Sequence, residues 1–454
     1  MKRRTFLKKS AYMTGITASA AFFPVPGLSA SKAPSEKLNI AHIGVGGMVG
    51  QMHLDAVAQE NQIALCDIDS NILDGACAKI PRAKRYKDWR DMLDQLGNKI
   101  DGVVITTPDH VHYSSACSAM SRGIHCYCEK PLAHDVFQIR QMPKFAKDYK
   151  VVTQMGTQVH ASDNVHRALE VVKSGVLGEI KSVEVWCATV WGGHPATKDR
   201  VAVPDSIAWD LWLGPAPVRD YQPCYLAAYP EAYKMLRKDI QLPDGFPASG
   251  SWRCWWDFGS GGIGDMGCHL LDIPFSALDL KYPTTIESSA PKQADSDYTP
   301  RDLTCRFEFP LPGRNKPLPV TWYDGTARPA ILKEYDLDKS YGVLFVGSDA
   351  AFYWNYSERF LLPRKRSADF TPPPKSIPDS PGHHAEWLAA IRSGKTTSCN
   401  FDYSGKVAEA VLLAQVSYRC GKKLQYDATT GSCPNVPESA RYLKQSCRKG
   451  WGPM

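Results

Sequence analysis

The sequence predicts an α/β fold class: a doubly wound parallel sheet in the N-terminal part, followed by an α+β domain with a large open mixed or antiparallel sheet. Over residues 38–155, short apolar runs alternate with helical patterns, and a glycine-rich turn follows the first run. From about residue 156 this alternation breaks, and Trp, Gly and Pro become frequent. Strands that alternate with helices at this spacing are typical of a parallel sheet covered on both faces.

The N-terminal elements follow in chain order. Residues 38–43 predict the first strand, which ends at the turn of residues 44–47, and a helical pattern that contains Met48, Met52 and Val57 comes next. Further strands are predicted at residues 63–66, 102–105, 124–128 and 151–155, and further helices at 88–96 and 112–120. Pro108 and Gly123 lie at the two ends of the last helical pattern, where a helix starts and stops.

The second domain is predicted to begin at residue 156 and to continue to residue 454. Antiparallel strands are predicted at residues 181–190 and 343–354, and helices at 166–173, 269–278, 384–391 and 405–417. The domain division is therefore a leader at 1–31, a nucleotide-binding domain at 32–155 and a substrate domain at 156–454. The chain of 454 residues is long enough for two or three domains.

The first residues have the pattern of an export signal. Lys2, Arg3 and Arg4 precede an apolar stretch at residues 11–23, and the small residues 29–31 follow. The paired arginines indicate a twin-arginine type of signal, which predicts a periplasmic or otherwise exported protein. An ordinary secretory signal or an uncleaved anchor is the alternative. The apolar stretch is shorter than the ~20 residues that a membrane span requires, and none of that length follows it.

Composition and charge exclude several functional classes. Hydrophobic residues make up 43% and charged residues 22% of the chain, which is typical of a soluble globular protein. The net charge of +7 falls to +2 without residues 1–30, because that segment holds five basic residues and no acidic one. The remainder has no basic run, so nucleic acid is not an expected partner.

Fourteen cysteines would ordinarily suggest disulfides in an exported protein. Several of them fall within predicted strands and helices, namely Cys66, Cys117, Cys126 and Cys128. A protein exported in the folded state would also fold in a reducing compartment. We therefore expect most of the cysteines to be small buried apolar side chains. For the late residues Cys420, Cys433 and Cys447, a disulfide remains an alternative.

The glycine-rich turn predicts a nucleotide site of the Rossmann type. Gly44, Gly46 and Gly47 stand between a strand and a helix, where the backbone can approach a pyrophosphate and the helix N-terminus offers N–H groups. Met48 opens that helix and is expected to border the same site. The third fingerprint position is Val49, and Gly50 comes one residue later, so the fingerprint is imperfect.

Asp67 strengthens this prediction and selects the cofactor. It ends the second strand, where a carboxylate can bind the adenosine ribose hydroxyls and repel a 2′-phosphate. The sequence therefore predicts NAD in preference to NADP. Thr107, Pro108 and His112 follow a parallel strand at the ligand-binding edge of the sheet, and we expect them beside the cofactor. A glycine turn without any dinucleotide is the alternative.

The segment Glu129-Lys130-Pro131 ends another parallel strand and thus borders the same crevice. Glu129 and Lys130 are expected at the cofactor, and the ammonium group of Lys130 can also stabilise an alkoxide that develops on a substrate. Pro131 restricts the backbone and fixes the direction of the lysine. A surface lysine in a turn is the alternative.

Asp265 and His269 form the second chemical feature. They are four residues apart in a segment where glycines give way to a helical pattern, so in a helix they share one face. A carboxylate beside an imidazole orients it and raises its basicity, which suits a residue that accepts a hydroxyl proton. Helix capping by Asp265 beside a buried His269 is the alternative. We identify no metal site in the sequence.

Between these features the chain is rich in tryptophan, whose faces suit the apolar faces of sugar rings. The tryptophans of this region are Trp186, Trp191, Trp209, Trp212, Trp252, Trp255 and Trp256. Most of them should be core residues. The candidate substrate-binding residues are Gln158, Trp191, Trp252, Trp256 and His384.

Taken together, these motifs resemble the Gfo/Idh/MocA family of oxidoreductases, which includes glucose-fructose oxidoreductase and inositol dehydrogenase. The resemblance extends over nearly the whole chain after the leader. The motifs that carry it lie at residues 44–47, 107–112, 129–132, 154–156, 209–215 and 264–269. The tryptophan-rich insert and residues 448–451 resemble the exported bacterial branch of that family.

The resemblance implies roles for particular residues and a class of reaction. The family's catalytic lysine, aspartate and histidine fall on Lys130, Asp265 and His269. It implies an NAD-dependent enzyme that oxidises a sugar, glycoside or polyol hydroxyl, with NAD tightly bound, and a homodimer or homotetramer packed through the second domain. Possible C3 oxidation of a pyranoside is part of this expectation.

Two other functions stay open at this stage. An NAD-dependent glycosidase would begin with the same C3 oxidation, then eliminate the leaving group and return the hydride. A sugar-binding or sensor protein would keep the fold and the cofactor without turnover. The sequence does not separate the first two, because their first chemical step is the same.

Overall fold

The computed structural model describes residues 36–189, 191–193, 200–226, 251–365 and 370–453. The predicted leader at residues 1–31 lies outside these ranges. No helix within the described part of the chain is both long enough and apolar enough to cross a membrane.

The N-terminal domain is built on a parallel sheet, as predicted, but the sheet has six strands, because the sequence pattern missed the short strand at Lys84–Tyr86. Its strands are β1 (Asn39–Ile43), β2 (Asn61–Cys66), β3 (Lys84–Tyr86), β4 (Gly102–Ile105), β5 (His125–Glu129) and β6 (Thr153–Gly156). The order across the sheet is β3-β2-β1-β4-β5-β6, and every pair is parallel. The order reverses beside β1, and ligands of doubly wound folds bind at such a point.

Helices connect these strands and cover the sheet. They are α1 (Gly47–Ala56), α2 (Ser70–Lys79), α3 (Trp89–Leu96), α4 (Asp109–Met120) and α5 (Val136–Asp148). The sequence pattern predicted α1, α3 and α4 but missed α2 and α5. Each missed helix contains a helix-unfavourable residue, Gly75 in α2 and Pro143 in α5.

The second domain contains an eight-stranded mixed sheet. Its strands are β7 (Ile180–Cys187), β8 (Thr285–Ser289), β9 (Thr304–Phe309), β10 (Leu318–Asp324), β11 (Tyr341–Gly347), β12 (Ala351–Trp354), β13 (Arg359–Leu362) and β14 (Leu424–Gln425). The order is β13-β12-β11-β7-β10-β9-β8-β14. Residues 343–354, predicted as one run, form the hairpin of β11 and β12. The predicted strand at 181–190 is antiparallel to β11 but parallel to β10.

The helices of the second domain are α6 (Asp163–Lys173), α7 (Trp209–Leu213), α8 (Pro223–Leu226), α9 (Gly261–Leu270), α10 (Asp272–Leu278), α11 (His383–Ser393), α12 (Phe401–Cys420) and α13 (Ala440–Leu443). The predicted helix at 269–278 is in fact two helices, and the first of them begins eight residues earlier than expected. A glycine run predicts a loop, yet α9 needs these glycines for close packing. A Cβ atom on Gly262 would lie 2.0 Å from Asp324 Oδ2, and one on Gly264 would lie 2.2 Å from Ser260 Cβ.

The two domains pack against each other over a continuous core. Helices α5 and α12 contact along their lengths, and the Met155 N–H of β6 donates to Cys399 O just before α12. This packing brings Lys130, which follows β5, against Asp265 of α9. All fourteen cysteines are reduced; twelve are buried, Cys420 is partly buried and Cys447 is exposed.

Candidate active site

Lys130 and Asp265 form an ion pair across the domain boundary. Lys130 follows β5, and its Nζ donates to Asp265 Oδ1 and to the carbonyl oxygen of Asp265, both at 2.7 Å. The two side chains are 9% and 14% exposed, so the pair is largely shielded from water. Two hydrogen bonds to one residue fix the ammonium group in a single position at the end of the parallel sheet.

Two further donors complete the surroundings of the Asp265 carboxylate. Trp191 Nε1 donates to Oδ2 at 2.7 Å, and Arg253 Nε donates to Oδ1 at 3.1 Å. Burial opposes ionisation of this carboxyl group, but the charges of Lys130 and Arg253 outweigh it and hold the pKa of Asp265 well below its usual range. The carboxylate is therefore ionised and serves as the anchor of the cluster.

His269 lies on the same helix α9, one turn beyond Asp265. Its Nδ1 atom is buried and has no hydrogen-bond partner among the described residues. Burial and the positive charge of Lys130 lower the pKa of His269 to about 4. The prediction that Asp265 orients this imidazole is wrong, because the carboxylate binds Lys130 and Arg253 instead. The charge of Asp265 does act to raise the pKa of His269, as predicted, but burial and Lys130 outweigh it, so the imidazole is neutral.

The glycine turn after β1 has the geometry of a dinucleotide site. Gly44 has a φ of +83°, and a Cβ there would lie 2.7 Å from Thr106 O. Gly47 has a φ of +66° and faces open space at the start of α1. The N-cap residue is Gly46, which has no side chain to bind the first N–H groups of α1. The first turn of α1 contains no acidic residue. The helix N-terminus can therefore receive an anionic group such as a pyrophosphate.

Gly50 explains the imperfect fingerprint. A Cβ at Gly50 would lie 2.5 Å from the carbonyl carbon of Val45, so no side chain fits between α1 and the turn. This close approach of helix and strand is the task of the third fingerprint glycine. Gly50 performs it one position later, and Val49 does not disrupt the turn.

Asp67 follows β2 and binds the backbone of the turn. Its Oδ2 accepts from Val45 N and its Oδ1 from Asp69 N, both at 3.0 Å. Burial raises the pKa of Asp67, although the two backbone hydrogen bonds oppose the rise. Its carboxylate lies beside Gly46, since a Cβ there would be 3.6 Å from Oδ2, which is where a ribose attached to a pyrophosphate would lie.

Two threonines at the end of β4 have unsatisfied hydroxyl groups. The Oγ1 atoms of Thr106 and Thr107 are buried and find no hydrogen-bond partner in the described part of the chain. Buried polar atoms of this kind ordinarily have a partner, so the loop offers donors and acceptors to a ligand. With the glycine turn and Asp67, these residues fit a nicotinamide dinucleotide.

The other predicted cofactor residues border the same loops. His112 is buried beneath them, with Nδ1 2.8 Å from Pro131 O and Nε2 2.7 Å from Thr107 O. It thus links the two crevice loops to each other. Pro108 is the N-cap residue of α4, and Met48 is 47% exposed in the first turn of α1.

The five predicted substrate residues are placed differently from one another. Trp191 donates to Asp265, and the guanidinium carbon of Arg253 lies 4.2 Å from the centre of the Trp252 ring. Trp256 is 3% exposed in the main core, and its indole donates to Asp295 O. Gln158 donates to Glu129 Oε1 at 2.6 Å, while His384 contacts His53.

Arg253, the second cation on Asp265, was not among the residues predicted from the sequence. Arg253 interrupts a tryptophan-rich stretch, and a cation in such apolar surroundings needs a buried anion. A second buried pair was not predicted either, in which His160 Nδ1 lies 2.8 Å from Asp272 Oδ2. Burial opposes protonation of His160, but the charge of Asp272 outweighs it and raises the histidine pKa.

A family profile matches the N-terminal domain. It is described as an oxidoreductase family with an NAD-binding Rossmann fold, named Gfo/Idh/MocA, and it covers residues 38–157. This range includes the glycine turn, Asp67 and Lys130. The N-terminal domain belongs to the Gfo/Idh/MocA oxidoreductase family. The predicted nucleotide-binding fold of that family is thereby confirmed.

Curated relatives match part of this chain. The D-glucoside 3-dehydrogenase of Escherichia coli is 29% identical over 153 residues, which are 33% of this chain and 43% of the relative. A glycosyl hydrolase family 109 protein of Stenotrophomonas maltophilia is 29% identical over 194 residues, 40% of each protein. The chain thus spans under half the length of these relatives.

Solved structures extend the likeness to both domains. The WlbA dehydrogenase of Bordetella pertussis, solved with NADH and UDP-GlcNAcA, superposes with a TM-score of 0.59 at 16% identity. The match covers 86% of this chain and 99% of that one. At this identity the comparison establishes the shared fold, including the arrangement of the mixed sheet behind the Rossmann domain.

Proposed function

We propose that this protein is an NAD-dependent oxidoreductase that removes a hydride from a hydroxyl-bearing carbon of a sugar, glycoside or polyol. The observation that carries the proposal is the ion pair of Lys130 with Asp265 after a strand of the sheet that also bears the glycine turn, with His269 near enough for the charge of Lys130 to lower its pKa. An ammonium group and a neutral imidazole beside a nicotinamide site are the groups that alcohol oxidation requires.

Bound NAD would supply the hydride acceptor. The glycine turn and Asp67 would hold its adenosine and pyrophosphate end, and the loops after β4 and β5 would border its nicotinamide end. When the substrate carbon is oxidised to a carbonyl, its hydride leaves with the electron pair and its hydroxyl proton must go to a base. His269 is that base, because its Nδ1 is unpartnered and its low pKa keeps it neutral.

Lys130 stabilises the oxygen from which the proton departs. Its ammonium group is fixed by Asp265, so it need not reorganise as negative charge develops on the substrate oxygen. Trp191 and Arg253 hold Asp265 in turn. The partly buried ring of Trp252 lies next to this cluster and offers an apolar surface to a sugar ring, which supports a carbohydrate as substrate, whereas Trp191 is 3% exposed and belongs to the core.

We infer that NAD stays bound through turnover. The segment before α7 crosses from the second domain to the loop that follows Asp67: Ser70 N donates to Ser206 O and Ala208 N donates to Ile68 O, both at 2.9 Å. Asp69 and Ile207 form a bridge between these two bonds. This strap (residues 204–208) borders the adenosine end of the site and would slow cofactor exchange.

Retained NAD would require a second substrate to reoxidise it, and it would suit a protein that is exported after folding. We propose export through the twin-arginine type of signal at residues 1–31, with the cofactor loaded beforehand, and a periplasmic location. The tryptophan-rich segments near Asp265 support the exported branch of the family. We also propose a homodimer or homotetramer that packs through the mixed sheet of the second domain.

An NAD-dependent glycosidase is the second candidate. The similarity to a family 109 glycosyl hydrolase favours it. The His160–Asp272 pair also favours it, because elimination after C3 oxidation needs another acid or base, and the raised pKa of His160 suits one.

The test is mass spectrometry of the purified protein for retained NAD, followed by a panel of sugars and glycosides read at the nicotinamide absorbance. Ketone formation with an added acceptor supports the dehydrogenase. Release of the aglycone without net redox change supports the glycosidase. A sensor protein would bind NAD and show no absorbance change with any sugar, which would contradict both enzymatic proposals.

A further inference from the structure

Three side chains form a line from the second domain to the residue before Lys130. His384 Nε2 of α11 lies 2.7 Å from His53 Nδ1 of α1, and His53 Nε2 lies 3.0 Å from Glu129 Oε1 at the end of β5. His53 is fully buried and Glu129 is 7% exposed, whereas His384 is partly exposed. The hydride-transfer cluster uses none of these three groups directly.

The hydrogen positions along the line follow from its end. An ionised carboxylate only accepts, so His53 Nε2 must carry the hydrogen that is donated to Glu129. A His53 that donates from Nε2 alone then accepts at Nδ1, and His384 donates to it from Nε2. The His384 ring is itself held by Tyr127, against which it stacks at 4.7 Å with an angle of 10° between the planes.

The two oxygens of Glu129 have different surroundings. Oε1 accepts from His53 and also from Gln158 Nε2 at 2.6 Å. The contact recorded for Oε2 in the described part of the chain is a long one, to Lys130 N at 3.4 Å. A Cβ on Gly156 would lie 2.2 Å from Oε1, so the neighbouring strand leaves room for the carboxylate only because it has a glycine there. Oε1 is saturated, and Oε2 remains an acceptor beside Lys130.

The line also determines the charge of Glu129. Burial opposes its ionisation, but the hydrogen bond from His53 and the positive charge of Lys130 outweigh burial and lower the Glu129 pKa to about 2. The titratable groups that face Glu129 from the surrounding elements are His53, His112, Tyr127, Lys130, His269, His383 and His384.

We propose that His53 and His384 are positioning residues that hold Glu129 ionised, with Oε2 turned to the crevice as an acceptor for a ligand hydroxyl group. The inference rests on the proposed function, which places a hydroxyl-bearing ligand next to Lys130. Two sources offer that hydroxyl: the ribose of the nicotinamide nucleotide and the sugar substrate. Because α11 belongs to the second domain, the line also makes this acceptor depend on how the two domains pack.

His53→Leu tests the central link. Without His53, the largest contribution that opposes burial is lost, so the pKa of Glu129 rises and the ionised acceptor is lost at a higher pH than in wild type. We expect affinity for the ligand that uses Oε2 to fall about 10- to 100-fold at the acidic end of the range from about pH 5 to 9, and to recover towards the alkaline end. The affinity of wild type should not decrease in this way at acidic pH. His53→Gln, which keeps an N–H donor, should restore most of the affinity that His53→Leu loses.

Two measurements separate the sources of the hydroxyl. The dissociation constant of NAD, measured across this pH range by fluorescence, reports the cofactor ribose. The KM for the best sugar of the panel, measured beside kcat, reports the substrate. The NAD measurement requires no turnover, so failure of this inference is distinguishable from failure of the proposed hydride transfer.

His384→Phe provides a second test that keeps the ring stacked on Tyr127 and removes only the donor. His53 can then change its tautomer. We therefore expect at least a threefold loss of affinity for the ligand that uses Oε2, with the same decrease at the acidic end of the pH range. His166→Phe, the same change at a histidine of α6 outside the line, is the matched control and should have no effect.

The result that overturns the inference is a His53→Leu protein whose NAD affinity and sugar KM both match wild type at every pH. Failure of His53→Gln to restore binding would also overturn it. If His53→Leu does not fold, His384→Phe decides: unchanged binding and an unchanged pH profile in that variant refute the positioning role.

Discussion

Replacing Lys130 by Met tests the most specific assignment in the site. Met keeps much of the apolar stem of the lysine and removes the ammonium group that Asp265 holds at 2.7 Å. The substrate oxygen would then lose its preorganised donor, while the glycine turn and Asp67, which bind the other end of the cofactor, are untouched. The change therefore separates chemistry from cofactor binding.

The magnitude can be worked out from the contacts. Removing one preorganised donor to a developing oxyanion costs about 3–4 kcal/mol, so kcat should fall ~100- to 1,000-fold. Breaking a buried ion pair can cost 3–5 kcal/mol of stability, but Asp265 keeps Trp191 at 2.7 Å and Arg253 at 3.1 Å. We therefore expect a loss of only about 2 kcal/mol in the free energy of unfolding.

The assay is the single-turnover change in nicotinamide absorbance after mixing with the best sugar, together with a denaturant titration and the amount of NAD retained. Lys281→Met, at a residue whose side chain is 57% exposed, is the control for loss of a lysine. A Lys130→Met enzyme that folds, keeps NAD and turns over within a few-fold of wild type would refute the role given to the ammonium group.

Four further outcomes follow from the structure. Asp67→Ala should weaken NAD and relax discrimination against NADP, measured as the ratio of the two dissociation constants; an unchanged ratio would contradict the ribose role. Ala208→Pro removes the N–H that binds the Asp67 loop at a φ of −82°, close to the range of proline, and should speed exchange of bound for labelled NAD several-fold. Gly264→Ala would place a Cβ 2.2 Å from a neighbouring side chain, so denaturant titration should show a loss of about 1–3 kcal/mol. Because the pKa of His269 is lowered to about 4, its base form is lost only as the pH falls through that value, so the oxidation rate should show no imidazole titration between about pH 6 and 7.

The sequence predicts the N-terminal sheet well because parallel strands are buried on both faces and appear as short apolar runs. It also places Lys130 and Asp67 at the correct edge, since both follow such runs. The helix α9 is different: its glycines predict a loop, and only the packing against Asp324 and Ser260 shows why glycine is required there. Local propensity cannot reveal a helix that is stabilised by close approach to other elements.

The resemblance grouped Lys130 with Asp265, but the contacts of Asp265 with Arg253 and Trp191 were not predicted. The spacing of Asp265 to His269 suggested a carboxylate–imidazole pair. In the structure the Asp265 carboxylate instead accepts hydrogen bonds from Lys130, Arg253 and Trp191. Lys130, Trp191 and Arg253 lie 135, 74 and 12 residues from Asp265 in the chain, so none of them falls within a local pattern that includes it. The neutral state of His269 has the same origin, because burial and the charge of Lys130 depend on how the two domains meet.

The central claim is that hydride passes from a sugar carbon to NAD within this site. Its most direct measurement uses a glycoside deuterated at C3, mixed with the NAD-loaded enzyme, and mass spectrometry of the nicotinamide nucleotide released by denaturation. The account predicts one deuterium in the reduced nucleotide, and much less in the Lys130→Met and His269→Ala enzymes. Reduced nucleotide without deuterium would contradict C3 as the donor carbon, and no reduced nucleotide with any sugar or polyol would contradict the claim itself.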